Sequence, residues 1–139
     1  MNILFVCKHN IFRSKVAETY FNQINKNKNI KASSAGIIPG EQLIENQEKV
    51  AKSQALVAKK LGINIIRNPR GLSVKLLKKQ DLVVIVSNDI PIKVFNNKDY
   101  LKKVIQWKIP DVLINDLKAM EKTIKLIIQK VNKLNNDLK

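Results

Sequence analysis

Cysteine is nearly absent: Cys7 is the only one in 139 residues, so no internal disulfide can form, and nothing else suggests secretion. One histidine, His9, beside one cysteine cannot make a zinc cluster, and no metal is expected. Glycine occurs four times, with no Gly-x4-Gly-Lys-Ser/Thr or Gly-x-Gly-x2-Gly run. No nucleotide or other cofactor is therefore indicated. Aromatics make up 5% of the chain and do not alternate with basic residues, as a single-strand nucleic-acid binder would require. No apolar run approaches the roughly 20 residues of a membrane helix. The first apolar stretch is too short for a signal peptide and runs straight into Lys8-His9, so the cytoplasm is the expected location. Arginine is scarce too, with only Arg13, Arg67 and Arg70.

Lysine is what the chain has in excess. Lys and Arg number 26 against 11 Asp and Glu, a net charge of +15. The lysines are spread along the chain and form no discrete patch, which disfavours a nucleic-acid partner. A positive field also attracts phosphorylated substrates. The length and an apolar content of 45% suit one domain over residues 1–139 with a real core.

Cys7-Lys8-His9-Asn10-Ile11-Phe12-Arg13-Ser14 lies between the apolar run Ile3-Leu4-Phe5-Val6 and an amphipathic stretch. A strand delivers a thiol to a loop, and loop N–H groups and a helix N-terminus then converge on one anion. The same field favours a thiolate. Arg13 supplies a planar fork able to grip two phosphate oxygens, which Lys cannot do.

Periodicity places a strand over residues 2–6 and a helix from Arg13 to about Asn25, with Val16, Ala17, Tyr20, Phe21 and Ile24 on one face. A second strand runs from Ile30 to Ala35 and ends at Gly36. Pro39-Gly40 marks a turn in a loop over 37–45. A helix follows from about Glu45 to Leu61, with Val50, Leu56, Val57 and Leu61 inward and Gly62 ending it. Asn68-Pro69-Arg70-Gly71 breaks the chain, and Ser73 can cap a short helix through Leu77. Leu82 to Val86 reads as a buried strand, a short helix begins near Pro91, and Val104 to Trp107 forms a fourth strand. The last helix, from about Asn115 to Asn135, carries Leu117, Met120, Ile124, Ile127, Ile128, Val131 and Leu134 as its apolar stripe. Alternating strands and helices predict an α/β fold: a small doubly wound four-stranded parallel sheet with helices on both faces. Ligands bind beyond the C-terminal strand ends of such sheets, so Cys7 and Asp111, each past a strand, can face one cleft.

With these residues in hand, the chain resembles the low-molecular-weight protein tyrosine phosphatases over nearly its full length. The family loop of Cys, five residues, Arg and Ser is matched by Cys7, Arg13 and Ser14, with Asn10 at the loop Asn. Ser34-Ala35-Gly36, Leu61-Gly62-Ile63 and Asp81-Leu82 also match, and Asp111 corresponds to the family's late acid. There are departures. His9 stands where phosphatases of the family usually have Gly, and His-Asn here is similar to related arsenate reductases. Val112 follows the acid where Pro is usual, and no aromatic follows it. Candidate walls for the substrate cleft are Ile37, Ile38 and Leu43, with Phe12 in the loop.

The resemblance implies a phosphomonoester hydrolase, a cytoplasmic protein tyrosine phosphatase working through a cysteinyl-phosphate. Cys7 is the expected nucleophile, Arg13 the charge stabiliser and Asp111 the general acid, then the base toward water. Lys8, His9, Asn10, Ile11, Phe12, Arg13 and Ser14 are the expected substrate-binding loop, with Ser14 bonding the Cys7 sulfur and Asn10 holding the loop open. His9 either donates to phosphate or points to solvent. Asp116 competes with Asp111 but falls in the last helix's first turn. Asp89 follows another strand and can support the cleft or cap the next helix. Trp107 reads as a partly buried core residue. Alternatives are an arsenate reductase using an external thiol, since Cys7 is alone, and a non-enzymatic binder of phospho-ligands or nucleic acid.

Overall fold

The computed structural model describes residues 1–38, 45–95 and 103–139. The Pro39-Gly40 turn and Leu43 lie outside these residues. In chain order the elements are strand β1 (Asn2–Cys7), helix α1 (Arg13–Ile24), strand β2 (Lys31–Gly36), helix α2 (Glu45–Lys60) and helix α3 (Val74–Lys78). Strand β3 (Leu82–Val86), a 3-10 turn (Ile92–Phe95), strand β4 (Lys103–Trp107) and helix α4 (Leu117–Asp137) complete them.

The four strands form one parallel sheet in the order β2-β1-β3-β4. β1 and β3 are central, which is why their sequences are unbroken apolar runs rather than alternating ones. Side chains still alternate between the two faces. Ile3, Phe5, Leu82, Val84 and Val86 join the larger core with residues of α1, α2 and α4. Leu4, Val6, Val83 and Ile85 join a smaller core with Leu77 of α3 and Phe95 of the 3-10 turn. Phe5 anchors the larger core, its ring centroid 6.1 Å from that of Phe21 and 5.8 Å from that of Trp107. Trp107 is thus a core residue, as expected, and buried rather than partly buried. The strand order turns back between β1 and β3, and the loop after β1 opens at that switch point.

Local chemistry sets the boundaries. Gly62 takes φ +83° just past α2, the left-handed position that ends a helix without a Cβ penalty. Ser73 Oγ accepts from Leu76 N at 3.1 Å and caps α3. Asp116 lies one residue outside α4 rather than in its first turn: its carboxylate accepts from Ala119 N at 3.1 Å. The helix expected near Pro91 is a 3-10 turn.

Two residues expected inward are not. Leu56 is 61% exposed, because the inward stripe of α2 is Val50, Ala51, Gln54, Val57 and Ala58, and Leu56 falls off that face. Leu117 is 53% exposed: it is the first residue of α4, and the helix first enters the core a turn later, at Met120. Both positions show an apolar periodicity being displaced by a polar residue or a cap.

Candidate active site

β1 ends at Cys7, whose side chain is buried at the C-terminal edge of the sheet. Residues 8–12 then loop into α1. No side chain caps α1 and its first turn holds no acidic residue, so its N–H donors and dipole are left for an anion.

Asn10 shapes the loop from behind. It is fully buried and takes φ +57°, a left-handed conformation that Asn tolerates better than most residues. Its amide donates to Ser14 Oγ at 2.8 Å and to Ser34 Oγ at 2.9 Å, and its carbonyl oxygen accepts from Arg70 N at 2.8 Å. Ser34 in turn donates to the Glu18 carboxylate. Ser14 Oγ lies 2.9 Å from Cys7 Sγ. Because Asn10 donates to that hydroxyl, the Ser14 proton is free to point at the sulfur.

The Ser34-Ala35-Gly36 run supplies the other support. A Cβ on Gly36 would stand 2.9 Å from Asn10 N and from His9 C, and 3.0 Å from Lys8 O. Only glycine lets the loop lie this close to β2. Ile37 N and Ile38 N then bond Cys7 O at 3.1 Å and Lys8 O at 2.8 Å, fastening the loop's first residues. Ile37 and Ile38, expected as walls, are not among the described residues that line the cleft. His9 lines the cleft, and its Nδ1 bonds Ile38 O at 2.9 Å, which puts a proton on Nδ1.

Arg13 opens α1 and is 2% exposed. One guanidinium nitrogen donates to Ser87 Oγ at 3.0 Å and Ile109 O at 2.9 Å. Carboxylates flank the group on both sides, Asp89 at 3.6 Å and Asp111 at 3.5 Å. Burial pushes Asp89 up, but the Ser87 hydroxyl and the Arg13 charge outweigh it and hold its carboxyl below the ordinary range. Asp111 is partly buried, and its second oxygen accepts from Val112 N at 2.9 Å.

Cys7, Arg13 and Asp111 share one cleft of about 540 Å³, part of it open to solvent. Ile11, Val50, Val112 and Leu113 give it aliphatic walls, and His9 and Phe12 also reach it. Lys8, Asn10 and Ser14 are not in its lining. Lys8 is exposed, while Asn10 and Ser14 sit behind the loop. Among the described residues no cluster of His, Cys, Asp and Glu is placed to hold a metal, and no helix is long and apolar enough to cross a membrane. Ser87 and Gln54, both at the site, carry no sequence signal beyond following a strand and interrupting an apolar stripe.

A strand-borne thiol, an uncapped helix N-terminus, a buried guanidinium and a carboxylate converge here, an arrangement suited to a tetrahedral oxyanion. The family model for low molecular weight phosphotyrosine protein phosphatases matches residues 2–139. The chain belongs to that family.

Solved structures of similar fold include a low molecular weight protein tyrosine phosphatase from T. tengcongensis. It is 26% identical, with 99% of each chain covered and a TM-score of 0.80. An arsenate reductase from Archaeoglobus fulgidus is 27% identical over 96% of this chain and 98% of its own, with a TM-score of 0.66. A Drosophila arginine phosphatase shares the fold at 16% identity, covering 100% and 98% of the two chains with a TM-score of 0.83. No curated protein matches the chain significantly by sequence. Membership accounts for the parallel sheet and the loop after β1, while relatives with different named activities leave the substrate to be argued from the cleft.

Proposed function

We propose that the protein is a cysteine-dependent protein tyrosine phosphatase that needs no metal or other cofactor. The observation that carries this reading is the shared cleft: Cys7 at its floor, Arg13 beside it and Asp111 on its wall.

In the first step the Cys7 thiolate attacks phosphorus and the bond to the leaving oxygen breaks. Protonated Asp111 gives its proton to that oxygen, and a cysteinyl-phosphate forms. Arg13 and the loop N–H groups of residues 8–13 carry the charge on the equatorial oxygens. In the second step the Asp111 carboxylate takes a proton from water, the water oxygen bonds phosphorus, and the S–P bond breaks. Phosphate leaves and the thiolate returns, stabilised by Ser14.

Two features support an aryl phosphate. Cys7 is buried where it lines the cleft, a placement that suits a long, rigid phosphotyrosine, and Ile11, Val50 and Leu113 offer apolar surface to a ring. A free thiol nucleophile also needs a reducing compartment, which supports the cytoplasm as its place of work.

Hydrolysis of p-nitrophenyl phosphate between about pH 5 and 8 by wild type, Cys7→Ser and Asp111→Asn tests this, with phosphotyrosine, phosphoserine and phosphoarginine peptides alongside. Metal-independent turnover lost in Cys7→Ser and preference for phosphotyrosine are expected. Turnover of phosphoarginine alone would keep the chemistry and overturn the substrate. Thiol-dependent arsenate reduction without hydrolysis would overturn both.

A further inference from the structure

The inward stripe of α2 contains one polar residue, Gln54, flanked by Val50, Ala51, Val57 and Ala58. It is 6% exposed. A buried amide costs free energy unless it is hydrogen-bonded, so its partner shows what the residue is for. Gln54 Nε2 donates to the carbonyl of Val112, 58 residues on, at 3.1 Å. Val112 directly follows Asp111, and its own N–H is already taken by the Asp111 carboxylate. Both backbone polar groups of Val112 are thus held by side chains.

On the other side of Asp111, Ile109 O accepts from Arg13 at 2.9 Å and from Asn88 N at 3.1 Å. Pro110 and Asp111 hang between these two anchors in a segment with no helix or strand. Beyond the second anchor the chain runs into exposed Leu113 and Ile114. We propose that Gln54 is a positioning residue for the general acid: its amide ties α2 to Val112 and thereby fixes the Asp111 carboxylate in the cleft it shares with Cys7. The inference rests on Asp111 being the acid. Gln54 also lines the cleft that Cys7, Arg13 and Asp111 share, and its amide bonds the backbone beside the acid rather than any of the three.

The test uses leaving groups. p-Nitrophenolate departs with little help, whereas phenolate needs its proton, so a misplaced acid slows phenyl phosphate selectively. Removing the amide in Gln54→Leu or Gln54→Met should lower kcat/KM for phenyl phosphate about 10-fold and for p-nitrophenyl phosphate less than about 2-fold. Competitive inhibition by inorganic phosphate should stay unchanged, since the loop is untouched. On an Asp111→Asn background the same changes should have no further effect.

Gln54→Glu is isosteric and keeps the test alive if the apolar variants fold poorly. Its carboxylate cannot donate to the Val112 carbonyl, but its protonated form can. Relative to wild type at the same pH, the ratio of phenyl to p-nitrophenyl phosphate turnover should therefore start low at neutral pH and approach the wild-type ratio as pH falls. Equal losses on both substrates, additivity with Asp111→Asn, or a flat ratio in Gln54→Glu would assign Gln54 a packing role only. If Asp111→Asn itself shows no leaving-group dependence, the acid assignment fails first and the inference goes with it.

Discussion

Replacing Gly36 with alanine drives a methyl group into the backbone of the anion loop. The added carbon would meet Asn10 N and His9 C at 2.9 Å and Lys8 O at 3.0 Å. Ordinary contact needs roughly 3.5 Å or more, so something must move by about 0.5–1 Å. Gly36 is poorly placed to yield. Its N–H bonds Arg70 O at 2.8 Å, its carbonyl accepts from Leu72 N at 2.9 Å, and it pairs with Cys7 across the sheet. The loop therefore shifts, and with it the N–H groups that must converge on phosphate. Overpacking of this kind costs about 1–3 kcal/mol of stability. A displacement near 1 Å at the reacting centre costs on the order of 10²-fold in rate. Urea melts report the first figure, and kcat/KM for p-nitrophenyl phosphate with inhibition by inorganic phosphate reports the second. A Gly36→Ala protein that retains kcat/KM and phosphate affinity within about 2-fold of wild type, well short of that penalty, would refute the argument.

Other perturbations separate the remaining assignments. Asp116→Ala should cost about 1 kcal/mol from the lost cap on α4 and leave turnover unchanged, which denaturant melts and kinetics check together. Phe21→Ala should lower stability by about 3–5 kcal/mol, measured by urea midpoint, because it empties the space against Phe5. Asn10→Ala should weaken inorganic phosphate inhibition and turnover together, since it removes three hydrogen bonds and puts alanine at a left-handed position. Asp89 has a lowered carboxyl pKa, so its stabilising effect is present above the ordinary value of about 4 and is lost as pH falls through the lower folded value. Asp89→Asn should accordingly flatten the acid limb of stability against pH, and an unchanged slope would remove Asp89 from the Arg13 cluster.

Elements with long apolar periodicity were legible in the sequence. The runs of β1 and β3 and the stripe of α4 from Met120 to Leu134 fall where periodicity places them. Cys7 and Arg13 stood out because a thiol and a rare arginine flank a loop between a strand and a helix. Arg13's partners Ser87 and Ile109 did not, because they depend on β3 lying beside β1, and neighbour order in a parallel sheet is not written in any one strand. Gly36 was visible as a strand end, but its closeness to the loop follows from the register of β2 against β1. The described cleft is lined by Ile11, Val50, Val112 and Leu113 rather than Ile37 and Ile38, because apolar character alone does not say which surface a loop residue faces. Gln54 interrupts an apolar stripe, a cue whose meaning needs the carbonyl it meets.

The hydrogen bonds that build the loop also bear on when it appears during folding. Asn10 is tied to residues 24 and 60 positions away, and Arg13 to residues 74 and 96 positions away. Such bonds close long chain loops and form only when distant segments have come together. The oxyanion pocket therefore needs β1, β2, β3 and the segment after β4 together, and a chain without that assembly carries the thiol without the cradle. Bound phosphate, contacting only the assembled state, draws on the cooperativity of the whole sheet and should raise the melting temperature of the entire protein rather than stiffen one loop.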